Sequence, residues 1–203
     1  MDLDAVFGAI DIYLFDQLLR QRITERDRIF DAGCGSGRNL VYLLRSGFDV
    51  QGVDGDPDAI RDVRALAAQL APGLSPDRFR AEPIERNSFP DGFATVVISS
   101  AVLHFARDDA QFDSMLAGAW RLLAPGGMWF CRLASTIGLE SRVRRLGPAG
   151  RRYRLPDGTD RYLVDEAFLM ERTRALGGQL LDPLKTTVVQ DQRSMTTWVV
   201  RKN

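Results

Sequence analysis

Residues 28–54 read RIFDAGCGSGRNLVYLLRSGFDVQGVD, and this stretch is the most informative one about the fold. The apolar residues at its start predict a strand, and the glycine-rich run at 31–37, called the glycine turn below, predicts a tight turn. Apolar residues at helical spacing then predict a helix that starts near Gly37, before a second strand that ends at Asp54. The stretch is therefore interpreted as a βαβ unit.

The glycines of this turn predict a place where the backbone contacts a ligand. Gly33, Gly35 and Gly37 can adopt positive φ, which lets the backbone approach a bound molecule closely. The predicted helix N-terminus adds unpaired N–H groups and a partial positive charge. Asp54 follows Asp31 by 23 residues, a position from which a carboxylate binds the two hydroxyls of a ribose.

The spacing of the turn, D-x-G-x-G-x-G, differs from the G-x-G-x-x-G of hydride-transferring nucleotide-binding proteins. A carboxylate at Asp31 would repel a pyrophosphate and attract an ammonium or sulfonium group. The ligand predicted from the turn is therefore S-adenosylmethionine rather than NAD. Two alternatives stay open: an NAD-type oxidoreductase, and a glycine-rich turn that only links a strand to a helix.

Four landmarks carry a resemblance to a known family. Residues 31–37 resemble motif I of the class I S-adenosylmethionine-dependent methyltransferases, and residues 52–54 resemble their ribose-binding acidic loop. The F-P-D-G run at 89–92 and the L-x-P-G-G turn at 123–127 follow in the family's order. The small single-domain members of type 11/12 are similar, with a looser likeness to the tellurite-resistance type through residues 37–39.

The resemblance implies an α/β, Rossmann-like class I methyltransferase fold. Such a fold has a seven-stranded, mostly parallel sheet with an antiparallel last strand, helices on both faces and a small lid after the fifth strand. The sequence pattern predicts helices at 3–19, 57–70, 109–123 and 165–176, and further strands at 78–81, 93–100, 128–133, 186–189 and 195–200. A polar turn separates the last two strands, which predicts an antiparallel hairpin.

The same resemblance implies S-adenosyl-L-methionine as cofactor, with S-adenosyl-L-homocysteine as product. The binding residues that it implies are Asp31, Ala32, Gly33, Cys34, Gly35, Gly37, Asn39, Asp54, Gly55, Asp56, Pro83, Ile84, Glu85, Ser99, Ser100 and Leu103. Pro83 stands where the family often carries an acid that bonds the adenine. Because proline offers neither a side-chain acceptor nor a backbone donor, we expect a carbonyl, Glu82, Glu85 or water to bond the adenine amino group, with Ile84 against the ring.

His104 is the only histidine of the chain and follows the predicted strand at 93–100. Ligands bind beyond the carboxyl ends of the strands in an open parallel sheet, so His104 is expected near the transferred methyl group. It is a candidate general base, which is needed only if the acceptor keeps its proton. A satisfied structural histidine is the alternative.

Residues 135–163 are rich in arginine and are predicted to form the lid over the substrate. A P-D-G turn at 156–158 lies between two runs of matching alternation, which predicts a β-hairpin over 152–163. The residues expected to contact the acceptor are Arg152, Arg154 and Arg161, together with Tyr13 from the N-terminal helix. Because arginine binds oxyanions bidentately, an anionic acceptor is expected. A solvated charged face is the alternative.

The predicted helix at 3–19 is amphipathic, with an apolar stripe that includes Leu14 and Leu18 and with Asp11 and Gln17 outside it. Its apolar stripe is expected to cover the edge of the sheet. The helix is also expected to help close the cofactor pocket through Tyr13, and the two roles are compatible.

Length and composition predict one domain over 1–203, with the N-terminal helix at 1–22 and the lid at 135–163. The 203 residues are 45% hydrophobic, and 27 acidic side chains balance 27 basic ones, so neither a nucleic-acid nor a membrane partner is expected. The acidic start and the lack of a long apolar run predict a cytoplasmic protein. Both cysteines, Cys34 and Cys131, are expected to be reduced, and no metal site is expected.

The expected activity is methyl transfer to a small molecule, at an oxygen, nitrogen, sulfur or chalcogen oxyanion centre, by a monomer or homodimer. Residues 99–102 read SSAV, where resembling amino-group methyltransferases of nucleic acids carry an N-P-P-Y motif. This difference favours a small acceptor. A catalytically silent cofactor-binding module is a further alternative.

Overall fold

The computed structural model describes residues 2–203. The α-helices are α1 (Leu3–Phe7), α2 (Ile12–Leu19), α3 (Val41–Arg45), α4 (Pro57–Leu70), α5 (Asp109–Trp120) and α6 (Glu166–Ala175). The strands are β1 (Arg28–Ala32), β2 (Asp49–Asp54), β3 (Phe79–Ala81), β4 (Ala94–Ser100), β5 (Leu123–Ala134), β6 (Arg144–Arg145), β7 (Arg152–Arg154), β8 (Asp160–Tyr162), β9 (Gly178–Leu180), β10 (Lys185–Val189) and β11 (Arg193–Lys202). Short 3₁₀ turns lie at Pro76–Arg78, Ile84–Arg86 and Leu103–Phe105.

The main sheet has the strand order β10-β11-β5-β4-β1-β2-β3. Neighbouring strands among β3, β2, β1, β4 and β5 pair in parallel. β11 is antiparallel to both of its neighbours, β5 and β10. The carboxyl ends of β1, β2, β4 and β5 therefore meet at one edge. The chain order reverses between β1 and β4, which is where open α/β sheets bind ligands. The predicted mostly parallel sheet with an antiparallel last strand is confirmed.

One difference from the predicted seven strands is an eighth, short strand. β9 pairs with residues 200–202 of β11, and β10 pairs with residues 193–197 on the same edge of β11. The break between β9 and β10 contains Pro183, which has no N–H to donate. It also contains Asp182, whose carboxylate accepts a hydrogen bond from Arg22 Nη1 at 2.8 Å. β9 and β10 therefore form one interrupted edge strand.

Alternating strand residues supply an apolar layer on each face of the sheet. Phe30 and Val97 belong to the layer that α5 and α6 cover, and Ile29 and Ile98 belong to the layer that α3 and α4 cover. Both faces of β4 are buried, as expected of a central parallel strand. Within residues 2–203, no helix combines the length and the apolar character needed to cross a membrane.

The helix after the glycine turn begins later than predicted. α3 starts at Val41 rather than near Gly37, and residues 37–40 form a turn in which Leu40 N–H donates to the Gly37 carbonyl at 2.8 Å. Gly37 has φ 88°, a value that an α-helix does not contain. A Cβ atom on Gly37 would lie 2.8 Å from Val63 Cγ2 of α4. Close packing on α4, rather than a helix N-terminus, therefore explains this glycine.

The single N-terminal helix predicted at 3–19 is also wrong. The structure has α1 and α2, because the chain leaves the helix at Gly8 with φ 58° and Asp11 then caps α2 by accepting a hydrogen bond from Tyr13 N–H at 2.9 Å. Asp11 and Gln17 were placed outside the apolar stripe, yet both are buried. Gln17 donates to the Asp182 carboxylate at 3.2 Å, and the partners of Asp11 are described with the site.

The turn after α5 also lies differently. α5 ends at Trp120 instead of residue 123, and the L-x-P-G-G run at 123–127 belongs to β5. The pairing of β5 with β4 shifts register between Ala94 and Val96. Gly126, with φ 78°, provides the bend within β5. The run is therefore a bulge inside a strand rather than a turn before one.

The predicted hairpin over 152–163 is confirmed as β7 and β8, and β6 adds a third strand to form a separate small sheet. The turn closes with a hydrogen bond from Leu155 N–H to the Thr159 carbonyl at 2.8 Å. Gly158 adopts φ 81°, as a glycine in such a turn can. The predicted helix at 165–176 is confirmed as α6.

Gly118→Ala is expected to destabilise the protein by about 1–3 kcal/mol, the usual effect of overpacking. A Cβ atom there would lie 2.5 Å from the Ile84 carbonyl oxygen and 2.7 Å from Glu85 Cα, because α5 packs directly on the 84–86 turn. Urea unfolding measures the change, and Ser114→Ala on the exposed face of α5 is the control, expected within about 0.5 kcal/mol. Helix propensity alone favours alanine, so a stabilised Gly118→Ala variant would contradict this packing.

Candidate functional site

A cavity of about 780 Å³ lies at the carboxyl edge of the parallel strands. The glycine turn after β1 forms one wall, the ends of β4 and β5 form the floor, and the hairpin of β7 and β8 covers the opposite side. Its volume falls in the range of ligand pockets, about 300–1,000 Å³. The ligand position expected at the switch point of the sheet is therefore a real cavity.

Asp54 stands at the end of β2 and is oriented by the backbone. Its Oδ2 accepts a hydrogen bond from Gly35 N–H at 2.9 Å, and its Oδ1 accepts one from Asp56 N–H at 3.0 Å. Each carboxylate oxygen keeps a further lone pair for a ligand.

Gly33 in the same turn has φ 91°, and a Cβ atom there would lie 2.6 Å from Val102 Cγ2. The turn therefore requires glycine at this position.

Asp31 is buried at the end of β1, with 2% of its surface exposed. Burial raises the pKa of its carboxyl group to about 7, since the charged form loses its hydration. Arg38 opposes this rise in the pKa, and the negative charge of Asp54 adds to it. A cation bound nearby would stabilise the ionised form of Asp31, which fits the ammonium or sulfonium ligand expected from the sequence.

The floor of the cavity contains a buried polar network around Asp11. Its carboxylate accepts hydrogen bonds from Arg132 Nη1 at 3.0 Å and from Ser100 Oγ at 3.2 Å, and Arg38 Nη2 lies 4.0 Å from the same oxygen. Asp11 N–H donates to Asn39 Oδ1 at 3.0 Å. The N-terminal segment therefore holds two predicted cofactor residues, Asn39 and Ser100, in position.

Part of the predicted cofactor set lies on the cavity surface. These residues are Gly33, Cys34, Gly35, Asn39, Asp54 and Ser100. The remaining members do not line the cavity, namely Asp31, Ala32, Gly37, Gly55, Asp56, Pro83, Ile84, Glu85, Ser99 and Leu103. Ala32, Ser99 and Leu103 are fully buried in the core. The part that each of these residues takes in cofactor binding stays a prediction.

The loop expected to contact the adenine, residues 82–88, is held by its own hydrogen bonds. Ser88 donates to both oxygens of Glu82, from its N–H at 2.7 Å and from its Oγ at 2.7 Å. Pro83 precedes the 3₁₀ turn Ile84–Arg86 with φ −67°, and Ile84 is buried against α5. The carboxylate of Glu82 therefore already accepts hydrogen bonds from within the loop. Of the two acids expected at the adenine, Glu85 is the one whose carboxylate is available to the amino group.

His104 lies in the 3₁₀ turn after β4 and lines the cavity, although the residue as a whole is buried. Its Nδ1 accepts a hydrogen bond from Ala134 N–H at 3.2 Å. Burial lowers the pKa of the imidazole to about 4, and the positive charges of Arg161 and Arg132 lower it further. His104 is therefore neutral at physiological pH.

Among the predicted substrate residues, Arg161 lies on the cavity. Its guanidinium carbon lies 4.9 Å from the centre of the Phe105 ring. Arg154 lies on the other face of the hairpin, where it is exposed and pairs with the Asp160 carboxylate. Arg152 Nη1 donates to the Ala106 carbonyl at 3.2 Å, off the cavity surface.

Tyr13, the fourth predicted substrate residue, does not line the cavity either. Its hydroxyl lies 2.6 Å from Thr187 Oγ1, and its ring centre lies 5.4 Å from the guanidinium carbon of Arg132. Tyr13 therefore supports a cavity residue and does not reach the cavity itself.

Sequence reasoning missed several cavity residues. Those with charged or large apolar side chains are Arg38, Arg132, Arg193, Asp157, Phe105, Met115, Leu155, Val189 and Met195. Arg132 offered one signal, because it interrupts the apolar strand predicted at 128–133. A charged residue in a buried strand needs a partner or a ligand, and that argument could have identified it.

The comparisons with known proteins agree with this geometry. Residues 29–127 match the model of a family described as a methyltransferase domain. An uncharacterized methyltransferase of Synechocystis sp. is 31% identical over 109 residues, which are 53% of this chain and 47% of that protein. The uncharacterized methyltransferase YodH of Bacillus subtilis is 30% identical over 129 residues, 64% of this chain and 49% of that protein. The chain spans about half the length of these curated relatives.

Solved structures share the fold over most of the chain. The PH0226 protein of Pyrococcus horikoshii superimposes with a TM-score of 0.71 at 18% identity, over 95% of this chain and 89% of that one. An S-adenosylmethionine-dependent methyltransferase of Methanosarcina mazei gives a TM-score of 0.71 at 19% identity, over 91% and 96%. The 1,6-didemethyltoxoflavin-N1-methyltransferase of Burkholderia thailandensis gives 0.69 at 20% identity, over 100% and 81%. At these identities the likeness shows the fold.

Asp31→Asn is expected to stabilise the ligand-free protein at high pH. The folded-state pKa of Asp31, about 7, exceeds the ordinary value of 3.8, so its contribution to stability is full below pH 3.8 and is lost as the pH rises through 7. Asparagine has the same shape and stays neutral. Urea unfolding at about pH 5 and about pH 8 should show a relative gain for the variant of the order of 1 kcal/mol or more at the higher pH.

The surface substitution Asp58→Asn on α4 is the control for this experiment. If Asp31→Asn changes the free energy of unfolding equally at both pH values, the burial of an uncompensated carboxylate is contradicted.

Strand order, glycine turn and comparisons lead to one conclusion. The antiparallel β11 opposes the NAD-type oxidoreductase, whose sheet would continue in parallel. The acid before the first glycine and the acid that ends β2 occupy the positions expected from the resemblance. Residues 29–127 match the model of a methyltransferase domain, and the chain shares its fold with S-adenosylmethionine-dependent methyltransferases of solved structure.

Proposed function

We propose that this protein is an S-adenosylmethionine-dependent methyltransferase that methylates a small molecule bound as an anion. The observation that carries the proposal is the pair of acids beside the glycine turn. Asp54 is oriented by two backbone amides, and Asp31 is buried next to it. A pyrophosphate would meet Asp31 as a like charge, whereas a ligand with a ribose and a cationic amino acid group matches both acids.

The residues present fit this cofactor. S-adenosylmethionine supplies a methyl group on positively charged sulfur, already activated for in-line displacement. Asp54 would accept hydrogen bonds from the ribose hydroxyls, and the charge of Asp31, buried behind the cavity surface, would attract the cationic end. Ile84 and Glu85 remain the residues expected at the adenine.

The part of the cavity beside the hairpin of β7 and β8, lined by Asp157, Thr159 and Arg161 and called the acceptor half below, is proposed to bind an anion. Arg161 and Arg193 line it, against one acid, Asp157, while the charge of Arg132 is already balanced by Asp11. Asp157 is already engaged by Thr159, whose N–H and Oγ1 donate to its carboxylate at 2.9 and 2.7 Å. The cationic groups in this half therefore outnumber the acidic ones. With the nucleophile aligned and desolvated there, proximity supplies much of the reduction in the barrier.

Known proteins with this fold support a small acceptor, but one of them is named for a reaction other than methyl transfer. The Burkholderia thailandensis structure contains bound 1,6-didemethyltoxoflavin and S-adenosylhomocysteine. Another structure with this fold, at a TM-score of 0.71 and 16% identity, is the [4+2]-cyclase SpnF. The fold alone thus does not specify methyl transfer, and the silent cofactor-binding module stays the second candidate.

The proposal also includes the domain organisation, the location and the partners predicted from the sequence. We expect one domain over 1–203 with the lid at 135–163, a cytoplasmic location, a monomer or homodimer, and no nucleic-acid partner. The lid prediction is supported by Leu155, Thr159 and Arg161, which lie on the cavity.

Two measurements test the function. Calorimetry compares binding of S-adenosylhomocysteine with binding of NAD, and a radiolabelled-methyl assay screens a library in which each carboxylic acid is paired with its neutral amide. We expect binding of the first ligand only, and label in acids rather than amides. Binding of NAD instead would overturn the proposal, and cofactor binding without any transfer would favour the silent module.

Asp54→Ala is expected to weaken S-adenosylhomocysteine binding by about 2–3 kcal/mol, the scale of charge-assisted hydrogen bonds. The variant loses the ribose acceptor and also the anchor of the Gly35 and Asp56 amides. Calorimetry measures the change in affinity. Asp58→Ala, four residues further on and exposed on α4, is the control and should bind like the native protein. Unchanged affinity in Asp54→Ala would remove Asp54 from the binding site.

Arg161→Ala is expected to raise the acceptor KM by about tenfold or more, since a hydrogen bond to a charged group contributes roughly 1.5–3 kcal/mol. S-adenosylhomocysteine affinity should stay nearly constant because Arg161 faces the other half of the cavity. Arg154→Ala is the matched control from the same hairpin, and its exposed position predicts kinetics within a few-fold of the native protein. Equal effects at the two positions would contradict the assignment of the lid.

A further inference from the structure

The hydrogen bond to His104 determines the tautomer of its ring. Ala134 N–H lies 3.2 Å from Nδ1, and a backbone amide can only donate. Nδ1 must therefore keep its lone pair, so the single proton of the neutral ring is on Nε2. Ala134 is the last residue of β5 and is buried, so the strand holds the donor in place.

The charged groups around the ring keep it neutral. Arg161 approaches from β8 and Arg132 from β5, and both positive charges oppose a further proton on the imidazole. From α5, packed on another side, the residue that lines the cavity with His104 is the apolar Met115. Burial acts in the same direction, and the pKa of the ring is lowered to about 4. A ring with so low a pKa is a weak base at neutral pH, because little free energy is gained when it accepts a proton.

The Nε2–H group is free for a ligand. His104 lines the cavity, and within residues 2–203 its hydrogen bond is the one from Ala134 to Nδ1. Arg161 and Arg193 line the same cavity, and Arg161 is close enough for its charge to act on the ring. This wall therefore presents hydrogen-bond donors and positive charge.

We infer that His104 is a hydrogen-bond donor to an oxyanion of the methyl acceptor and not a general base. The inference rests on the proposed function and names its substrate class, a molecule already ionised when it binds. The acceptor's lone pair forms the bond to the methyl carbon, the electron pair of the broken carbon–sulfur bond stays on sulfur, and no proton is transferred. Because the acceptor oxygen carries no proton when it binds, the step needs no base.

The tautomer can be measured directly because the chain has one histidine. Untagged protein labelled with ¹⁵N-histidine would give one pair of ring nitrogens in a long-range ¹H–¹⁵N correlation spectrum. We expect the Nε2–H pattern, unchanged from about pH 5 to about pH 8. The Nδ1–H pattern, or a protonation midpoint near the ordinary value of 6.5, would overturn the inference. This measurement needs neither cofactor nor acceptor, so its failure is distinguishable from a failure of the proposed function.

Benzoate and benzamide, used as probes with the same ring, test the charge preference. Benzoate is expected to shift the Nε2 and Nε2–H signals of the protein saturated with S-adenosylhomocysteine, and the neutral benzamide is not. Equal responses to the two probes, or none to benzoate at its solubility limit, would overturn the assignment of this wall to an anion.

Two substitutions separate the two nitrogens of the ring. His104→Asn keeps an acceptor for Ala134 N–H near the position of Nδ1 but lacks the Nε2 donor, whereas His104→Gln can place an amide N–H near the position of Nε2. We expect the acceptor KM to rise about 10- to 100-fold in His104→Asn and to stay within a few-fold in His104→Gln. A general base predicts that both variants lose turnover, and that outcome would overturn the inference.

Discussion

The buried ion pair between Asp11 and Arg132 is the interaction on which the cavity depends. The side chain of Asp11 is fully enclosed, and Arg132 Nη1 donates to it at 3.0 Å. A buried charge without a partner is strongly destabilising, so neither residue can be removed alone without a large loss. The same carboxylate accepts from Ser100 and caps α2 through Tyr13 N–H. One ion pair therefore joins the N-terminal segment to the ends of β4 and β5.

Desolvation acts on Asp31 and His104, two titratable groups of the site, with opposite results. It raises the pKa of the Asp31 carboxyl group to about 7 and lowers that of the His104 imidazole to about 4, because burial disfavours the charged form of either group. Asp31 and Asp54 lie beside the glycine turn, and Arg161 and Arg193 line the cavity without a carboxylate partner among residues 2–203. A cationic ligand beside the acids and an anionic one beside the arginines would complete the charge balance, and such a pair is what a methyl transfer from sulfonium to an oxyanion requires.

The positions of these charges rest on close backbone packing. Gly33 and Gly37 leave no room for a Cβ atom beside Val102 and Val63, so the glycine turn lies tightly between β4 and α4. Gly118 does the same for α5 and the 84–86 turn. Overpacking at these positions would move the loops that face the cavity. Gly33 and Gly37 thus shape the turn and, through its close packing, also fix the positions of Asp31 and Asp54.

The mostly parallel sheet is predicted through the family resemblance. Local patterns of the sequence are enough to predict the βαβ unit, the order of the landmarks and the hairpin over 152–163. These features depend on local patterns, such as the apolar periodicity of β4 and the P-D-G turn at 156–158, which neighbouring residues express without distant partners. The residues of the glycine turn and Asp54 could be identified in the same way, because their spacing along the chain is itself the signal.

The folded structure is needed to see the break at Gly8, the late start of α3 and the burial of Asp11. It is also needed to see that Arg161, and not Arg154, lies on the cavity. Asp11 and Arg132 are 121 positions apart, so no local pattern reveals that one neutralises the other. Arg154 and Arg161 differ only in the face of the hairpin on which they stand, which the register of β7 with β8 determines. The tautomer of His104 likewise depends on Ala134, 30 positions away. Such contacts form only when distant strands pair, and they determine which of the candidate residues reach the cavity.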